Sequence, residues 1–255
     1  MLKFHNCSIF LLIMILFFSC ATKRDIIYLQ GLDLSEDYSK TYETYKIQVD
    51  DVLKINISAE NPEVLLSIIP RTQGMSMNNR ETMIFDGYLV DNDGMIYFST
   101  LGGVKVSGLT LIEIRKLLYR ELQDKFDLTN PSVDVKLLNT HFTIIGEVAQ
   151  PGRYEYIQNN LNILEAIGMA GDLNIQANRK DIKLLRDRNG VKKNSSIDLT
   201  QASILNSNAF QIQSGDIIIV NPNNARVKNA GLIGNSGTLV SLLSFLLSSI
   251  ILITR

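Results

Sequence analysis

The chain lacks tryptophan and has little of the two residue types most often used for metal and nucleophile chemistry: 2 histidines and 2 cysteines in 255 residues. Cys7 and Cys20 both lie near the N-terminus, so no internal disulfide staples the body of the chain. His141 has no cysteine or second histidine beside it to complete a metal-ligand set. An excess of one charge is also missing. The 25 Lys+Arg nearly cancel the 26 Asp+Glu and no long basic block occurs, which argues against nucleic acid as a partner. GxSxG, P-loop and Rossmann fingerprints are absent. Asp50 and Asp51 are adjacent, so on an extended chain they point to opposite faces and read as a turn, not a catalytic pair. Asp91-Asn92-Asp93-Gly94 resembles part of a calcium loop. With Gly94 at the sixth position, however, the first and twelfth would be Leu89 and Thr100, and neither supplies a carboxylate. That stretch reads as a hairpin turn. The expectation is a non-enzyme with no cofactor and no metal.

What the chain does have begins at its N-terminus. Lys3 precedes a wholly apolar run, Ile9 to Phe18, which is too short for an ordinary membrane span. Residues 1–19 read as a signal peptide, and cleavage before Cys20 would expose a thiol that can carry lipid. Phe17, Phe18, Ser19 and Cys20 resemble a bacterial lipoprotein signal, with Ser19 fitting and the two Phe departing from the common Leu-[Ala/Ser] pattern. The alternative is an ordinary signal anchor with an incidental cysteine. Acyl chains on Cys20 would hold the protein on a membrane, since each buried methylene contributes ~0.8 kcal/mol. The polar residues 20–40 read as a lipidated tether.

Two compact regions follow, 41–136 and 137–222, and the fold class they predict is α+β. Tyr45 to Ser58 predicts strand–turn–strand, and Arg71 to Met83 an inserted polar loop. Gly87 to Thr110 predicts a strand, an Asp-Gly turn, a strand, a Gly-Gly turn and a short strand. Thr110 and Glu113 form a capping box for a helix with an apolar stripe of Leu111, Ile114, Leu118 and Leu122. In the second region His141 to Tyr156 predicts two strands about a Pro-Gly turn. Asn162 and Glu165 cap a short helix stopped by glycine, and Lys180 to Leu199 predicts a hairpin about Asn189-Gly190. A last strand is expected in Gln213 to Pro222. QVDDVLKI and QSGDIIIV echo each other: a turn ending in Asp, then an apolar strand.

After a linker, 223–228, residues 229–255 read as a C-terminal transmembrane helix. Asn229 to Thr254 carries no charge, and those 26 residues would span ~39 Å as a helix. At about 100° per residue, Gly234, Gly237, Thr238, Ser241, Ser244 and Ser248 share one face, the candidate pore lining. Leu239, Leu243, Leu246, Leu247 and Ile250 share the opposite, candidate lipid face. Phe245 and Leu252 fall inside the small, polar face. The alternative is a single anchor whose small residues pack against a neighbour.

Three stretches, in this order, resemble the outer-membrane polysaccharide export family (Wza-type translocons). In YKIQVDDVLKI, Tyr45, Ile47, Asp51 and Leu53 match the family's opening pattern, while Val49 and Asp50 stand where Pro-Gly is usual. Tyr88 to Ile114, with Asp93 and Gly94 at its turn, is similar to the export domain's strand–turn–helix signature. Gly146, Glu147, Val148, Pro151, Gly152 and Tyr154 resemble the start of an SLBB (β-grasp) domain. The resemblance implies an export domain followed by one SLBB domain. It further implies a ring homo-oligomer, often an octamer, standing in the periplasm, with C-terminal helices forming a barrel through the outer membrane. Capsular or extracellular polysaccharide would be the transported substrate. An inner-membrane polysaccharide co-polymerase, often with tyrosine-kinase activity, would be the partner. The expected location is the bacterial outer membrane, lipid-anchored, with most of the chain in the periplasm. Other readings are a periplasmic glycan-binding lipoprotein that is not a channel, and a plain membrane-anchored structural protein. An enzyme acting on polysaccharide would need a carboxylate pair or nucleophile that the sequence does not offer.

Overall fold

A computed structural model describes residues 23–33, 44–59, 86–126, 128, 130–158, 160–188 and 190–224, with 237, 240–242, 244, 245, 248, 249 and 252 near the C-terminus. The signal peptide, Cys20 and the 71–83 loop lie outside the described residues, as do Gly234, Thr238, Leu239, Leu243, Leu246, Leu247 and Ile250.

The first region forms one apolar core, from Ile47 to Val135. Strand β1 (Val52–Ser58) alternates inward and outward residues and pairs antiparallel with β2 (Tyr88–Leu89) on one side. A hairpin of β3 (Met95–Phe98) and β4 (Gly102–Lys105) follows. Helix α1 (Leu111–Phe126) comes next, then β5 (Ser132–Leu137), which pairs along the other side of β1 from Leu53↔Leu137 to Ser58↔Ser132. Ile114, Leu118 and Leu122 recur every four residues, and all are buried, which fixes the face α1 turns to the core. The expected capping box starts the helix: Thr110 N–H donates to Glu113 Oε2 at 2.8 Å, and Glu113 N–H to Thr110 Oγ1 at 3.3 Å.

Two expectations in this region are corrected. The stretch before Asp51 is not a strand. Ile47 only exchanges two backbone hydrogen bonds with the loop ahead of α1, to Leu109 O at 2.9 Å and from Gly108 N at 2.8 Å. The Gly-Gly pair is not a turn either. Gly102 and Gly103 lie in β4, and the chain reverses at Ser99 to Leu101. Gly103 faces Tyr97 and Met95, whose side chains occupy the space a Cβ would need.

The second region has its own core, from Phe142 to Val220. Its elements are β6 (His141–Gly146), β7 (Gly152–Glu155), β8 (Leu161–Asn162), α2 (Ile163–Met169), β9 (Ala177–Arg188), β10 (Val191–Ile197), β11 (Gln211–Ile212) and β12 (Asp216–Pro222). The five-stranded sheet runs β10-β9-β12-β6-β7, with β12 and β6 parallel and the other neighbours antiparallel. Short α2 buries Ile163, Ala166 and Ile167 in that core. Its capping box is complete, Asn162 Oδ1 accepting from Glu165 N–H at 2.9 Å and Glu165 Oε2 from Asn162 N–H at 2.9 Å. The assembly is α+β with few helices.

Residues 23–33, read from the sequence as part of a polar tether, lie along the second region. Leu29 N–H donates to Leu199 O at 3.0 Å, Gln30 N–H to Thr200 O at 2.6 Å, and Ala202 N–H to Gln30 O at 3.1 Å. The Tyr28 hydroxyl donates to Asp172 Oδ1 at 2.6 Å, and Asp25 pairs with Lys180 at 2.6 Å. The Arg179 guanidinium lies over the Tyr28 ring, 5.4 Å from its centre.

Among the described residues no helix is long and apolar enough to cross a membrane, so the expected C-terminal span is not found there; this says nothing of a β-barrel. The described positions near the C-terminus are all helical. Ser241, Ser248 and Ser249 each turn their hydroxyl back onto the carbonyl four residues earlier, at 2.8 Å.

Candidate functional site

The residues singled out by the motifs gather at three turns and at the joint between the two regions. In the turn Gln48–Asp51, Asp51 N–H returns to Gln48 O at 3.3 Å, and Gln48 N–H donates to Asp51 Oδ2 at 2.8 Å. Asp50, at the third position, adopts φ 68°, a left-handed conformation costly for residues with a Cβ but tolerated best by Asn and Asp. That is how the turn forms without the usual Pro-Gly. Asp50 faces solvent and Asp51 is buried. The Tyr45 hydroxyl donates to Asp51, 3.0 Å from Oδ2 and 3.2 Å from Oδ1. Burial pushes the Asp51 carboxyl up to about 6, with the Gln48 N–H and the Tyr45 hydroxyl pulling the other way and Asp50 adding to the rise. The Tyr45 phenol is pushed up as well, first by burial and then by Asp51.

The echo seen in the sequence is a structural one. In the turn Gln213–Asp216, Asp216 N–H returns to Gln213 O at 3.2 Å, and Gln213 N–H donates to Asp216 Oδ2 at 2.8 Å. Gly215 occupies the left-handed position, at φ 84°. Asp216 then opens β12. Its carboxylate takes a two-pronged contact from Arg186, Nε to Oδ1 at 2.8 Å and Nη2 to Oδ2 at 2.7 Å. Both residues are buried. Burial raises the Asp216 carboxyl, while the Arg186 fork and the Gln213 N–H act against that rise.

Between the two turns runs the link from the first region to the second. Asn139 clamps the first turn with its side-chain amide: Oδ1 accepts from Val52 N–H at 3.0 Å, and Nδ2 donates to Asp50 O at 2.8 Å. The His141 Nδ1–H donates to Asn139 O at 2.8 Å, which places His141 at the start of β6 as a structural residue. Tyr156 lies within electrostatic reach of both Asp51 and Asp216, and its phenol is raised, mainly by burial. The Tyr45 phenol likewise lies within electrostatic reach of Tyr156 and Ser214 of the second region.

The other motif residues are backbone devices. At the hairpin turn it is Asp91, not Asp93, whose carboxylate holds the loop, accepting from Asp93 N–H at 2.9 Å and Met95 N–H at 2.8 Å. Gly94 follows, where a Cβ would lie 2.4 Å from Ser107 Cβ. Gly146, at φ 99°, lets β6 approach β12 so closely that a Cβ would sit 2.0 Å from Val220 O. Glu147 N–H donates to that same carbonyl at 2.9 Å. Pro151 ends the loop that Tyr154 closes, its hydroxyl donating to Gln150 O at 2.6 Å, and Gly152 opens β7 opposite Ile144. In the C-terminal segment the described positions of the candidate pore face, Gly237, Ser241, Ser244 and Ser248, are exposed, as are Val240 and Leu242, while the candidate lipid-face positions lie outside the described residues. Sequence reading missed the Arg186–Asp216 pair, the Asn139 clamp and the docked 23–33 strap. The QSGD echo was the available signal for Asp216.

None of this arrangement places a nucleophile beside a base, and among the described residues no group of three or more His, Cys, Asp or Glu stands close enough to hold a metal ion. The family described as polysaccharide biosynthesis/export protein matches residues 39–138, and the SLBB domain matches residues 140–220. The chain is 25% identical over 184 residues to the EPS I polysaccharide export outer membrane protein EpsA of Ralstonia solanacearum, covering 70% of this chain. It spans about half, 48%, of that relative's length. With its two turns, its two cores and both matches in the same order, the chain belongs to the polysaccharide export family, an export domain followed by an SLBB domain.

Proposed function

We propose that the protein is an outer-membrane translocon subunit that assembles with copies of itself into a ring and exports capsular or extracellular polysaccharide through the central channel. The observation that carries this reading is the succession of export domain and SLBB domain over residues 39–220, followed by the uncharged stretch Asn229 to Thr254. The similarity to a relative named as a polysaccharide export outer membrane protein supports it. In this reading Cys20 carries lipid, most of the chain stands in the periplasm, and the C-terminal segment lines the pore with its Gly and Ser face. The partner is an inner-membrane polysaccharide co-polymerase. The protein works without a cofactor and catalyses no reaction; its motif residues shape turns and a domain joint.

A second reading, a glycan-binding lipoprotein that is not a channel, draws on the absence of a membrane-crossing helix among the described residues. Electron microscopy of the detergent-solubilised full chain separates the two. A ring of subunits is the expected outcome, and a monodisperse monomer overturns the channel.

A further inference from the structure

Helix α1 turns a second face away from the core. Arg115, Lys116, Tyr119 and Arg120 line an open groove of about 470 Å³ there, its wall made mostly of their apolar atoms with the charged heads at its rim. Their spacing sets two columns one turn apart, Arg115 with Tyr119 and Lys116 with Arg120. Like charges four residues apart weaken a helix, so the Lys116–Arg120 column runs against local stability. Among the described residues no acidic one lines the groove. The acids around it are engaged or peripheral. Glu113 serves the capping box, Glu121 pairs with Lys125 at 2.9 Å, and Asp134 is shared between Lys136 at 3.3 Å and Arg115 at 3.9 Å. Asp124 lies exposed, one turn beyond Arg120. The Tyr119 hydroxyl accepts from Gln123 Nε2 at 3.2 Å, which steadies the ring, and Arg120 Nε leans on Lys116 O at 3.4 Å.

We propose that this groove binds an acidic polysaccharide, one whose sugars carry carboxylates. Two guanidinium forks and an ammonium match carboxylate groups. Between them the half-buried Tyr119 ring, packed against the core along part of its surface, offers its exposed part to the apolar C–H face of a pyranose. An acidic protein segment would be expected to seat apolar anchors in a closed pocket, and this groove is open. The proposal rests on the export reading and deepens it. The segment from Asn229 to Thr254 has no charge with which to select a charged chain, so selection falls to a cationic surface elsewhere.

The test is a titration of the full chain in detergent with three probes of matched length: oligogalacturonate, neutral dextran oligosaccharide and polyglutamate. Oligogalacturonate should bind best, and more weakly as salt rises. The triple variant Arg115→Gln, Lys116→Gln, Arg120→Gln should lose about tenfold or more in affinity. Tyr119→Ala should weaken the sugar but leave any polyglutamate binding unchanged. Far-ultraviolet circular dichroism unchanged from the parent keeps both variants interpretable. No binding of oligogalacturonate overturns the proposal, as does dextran binding equally well, polyglutamate binding more tightly, or a triple variant that binds like the parent. The export reading fails separately, if the full chain does not restore polysaccharide secretion to a strain lacking it. Groove binding that persists in that case still upholds the proposal, as the property of a glycan-binding protein.

Discussion

The export domain and the SLBB domain use one turn in two electrostatic settings. Gln48–Asp51 and Gln213–Asp216 share the Asp-to-Gln backbone bond, the return from Gln N–H to the Asp carboxylate, and a left-handed third residue. They differ in what else touches the acid. Asp51 meets a neutral phenol, Tyr45, whereas Asp216 meets a buried guanidinium, Arg186. The same local geometry therefore serves an acid that protonates readily and an acid that must stay charged to satisfy its partner.

Substituting asparagine at the two sites separates them most strongly. Asp216→Asn leaves Arg186 buried without its counter-charge, and the expected loss is about 3–5 kcal/mol. Hydrogen–deuterium exchange should locate that loss in β9 and β12 and leave β1 and β5 protected. Next in size are the two capping boxes, one per domain. Thr110→Ala and Asn162→Ala should each cost about 1 kcal/mol, read as lower urea midpoints, with Thr110→Ala felt in α1 and Asn162→Ala in α2.

The third residue of each turn gives a smaller effect. Asp50→Gly should stabilise by about 0.5–1 kcal/mol, since it relieves a left-handed conformation that Gly215 already adopts freely in the other domain. A lower melting temperature would mean that the Asp50 side chain has a role the turn does not need.

The smallest effect, read near pH 4, is Asp51→Asn, because an amide mimics the acid that is protonated there beside Tyr45; the expected change is within about 1 kcal/mol. The pH profile should reveal it. The folded carboxyl is pushed up to about 6, above the unfolded value of about 3.9, so the folded state binds this proton more tightly. Its contribution to stability is full below about pH 4 and is lost as pH rises to about 6. Urea midpoints of the parent and Asp51→Asn, compared from pH 4 to 7, should show the falling component only in the parent.

What could be read from the sequence was local. Both capping boxes join residues three apart, and the burial of Ile114, Leu118 and Leu122 follows from a four-residue spacing, so neighbouring letters were enough. The turn echo was visible for the same reason. Asn139 reaches back 87 and 89 residues to the first turn, and Arg186 meets Asp216 across 30. Such contacts depend on how strands pair, and a single sequence does not record that. The 23–33 strap is the extreme case: Tyr28 reaches Asp172 across 144 residues, and its polar composition read as a solvated linker. Gly102-Gly103 misled for another reason. Glycine pairs usually mark reversals, and here Gly103 clears space for Met95 and Tyr97 in a strand.

The docked strap also sets a leash. Tyr28 lies eight residues after Cys20, and an extended chain covers at most about 3.5 Å per residue, so a lipid on Cys20 would hold the Tyr28 contact within ~28 Å of the membrane surface. On the proposed export reading, drag from a moving sugar chain would then pass from the SLBB domain into the bilayer along the backbone bonds of Leu29 and Gln30, with Tyr28 wedged against Asp172 and Arg179 as the fastening.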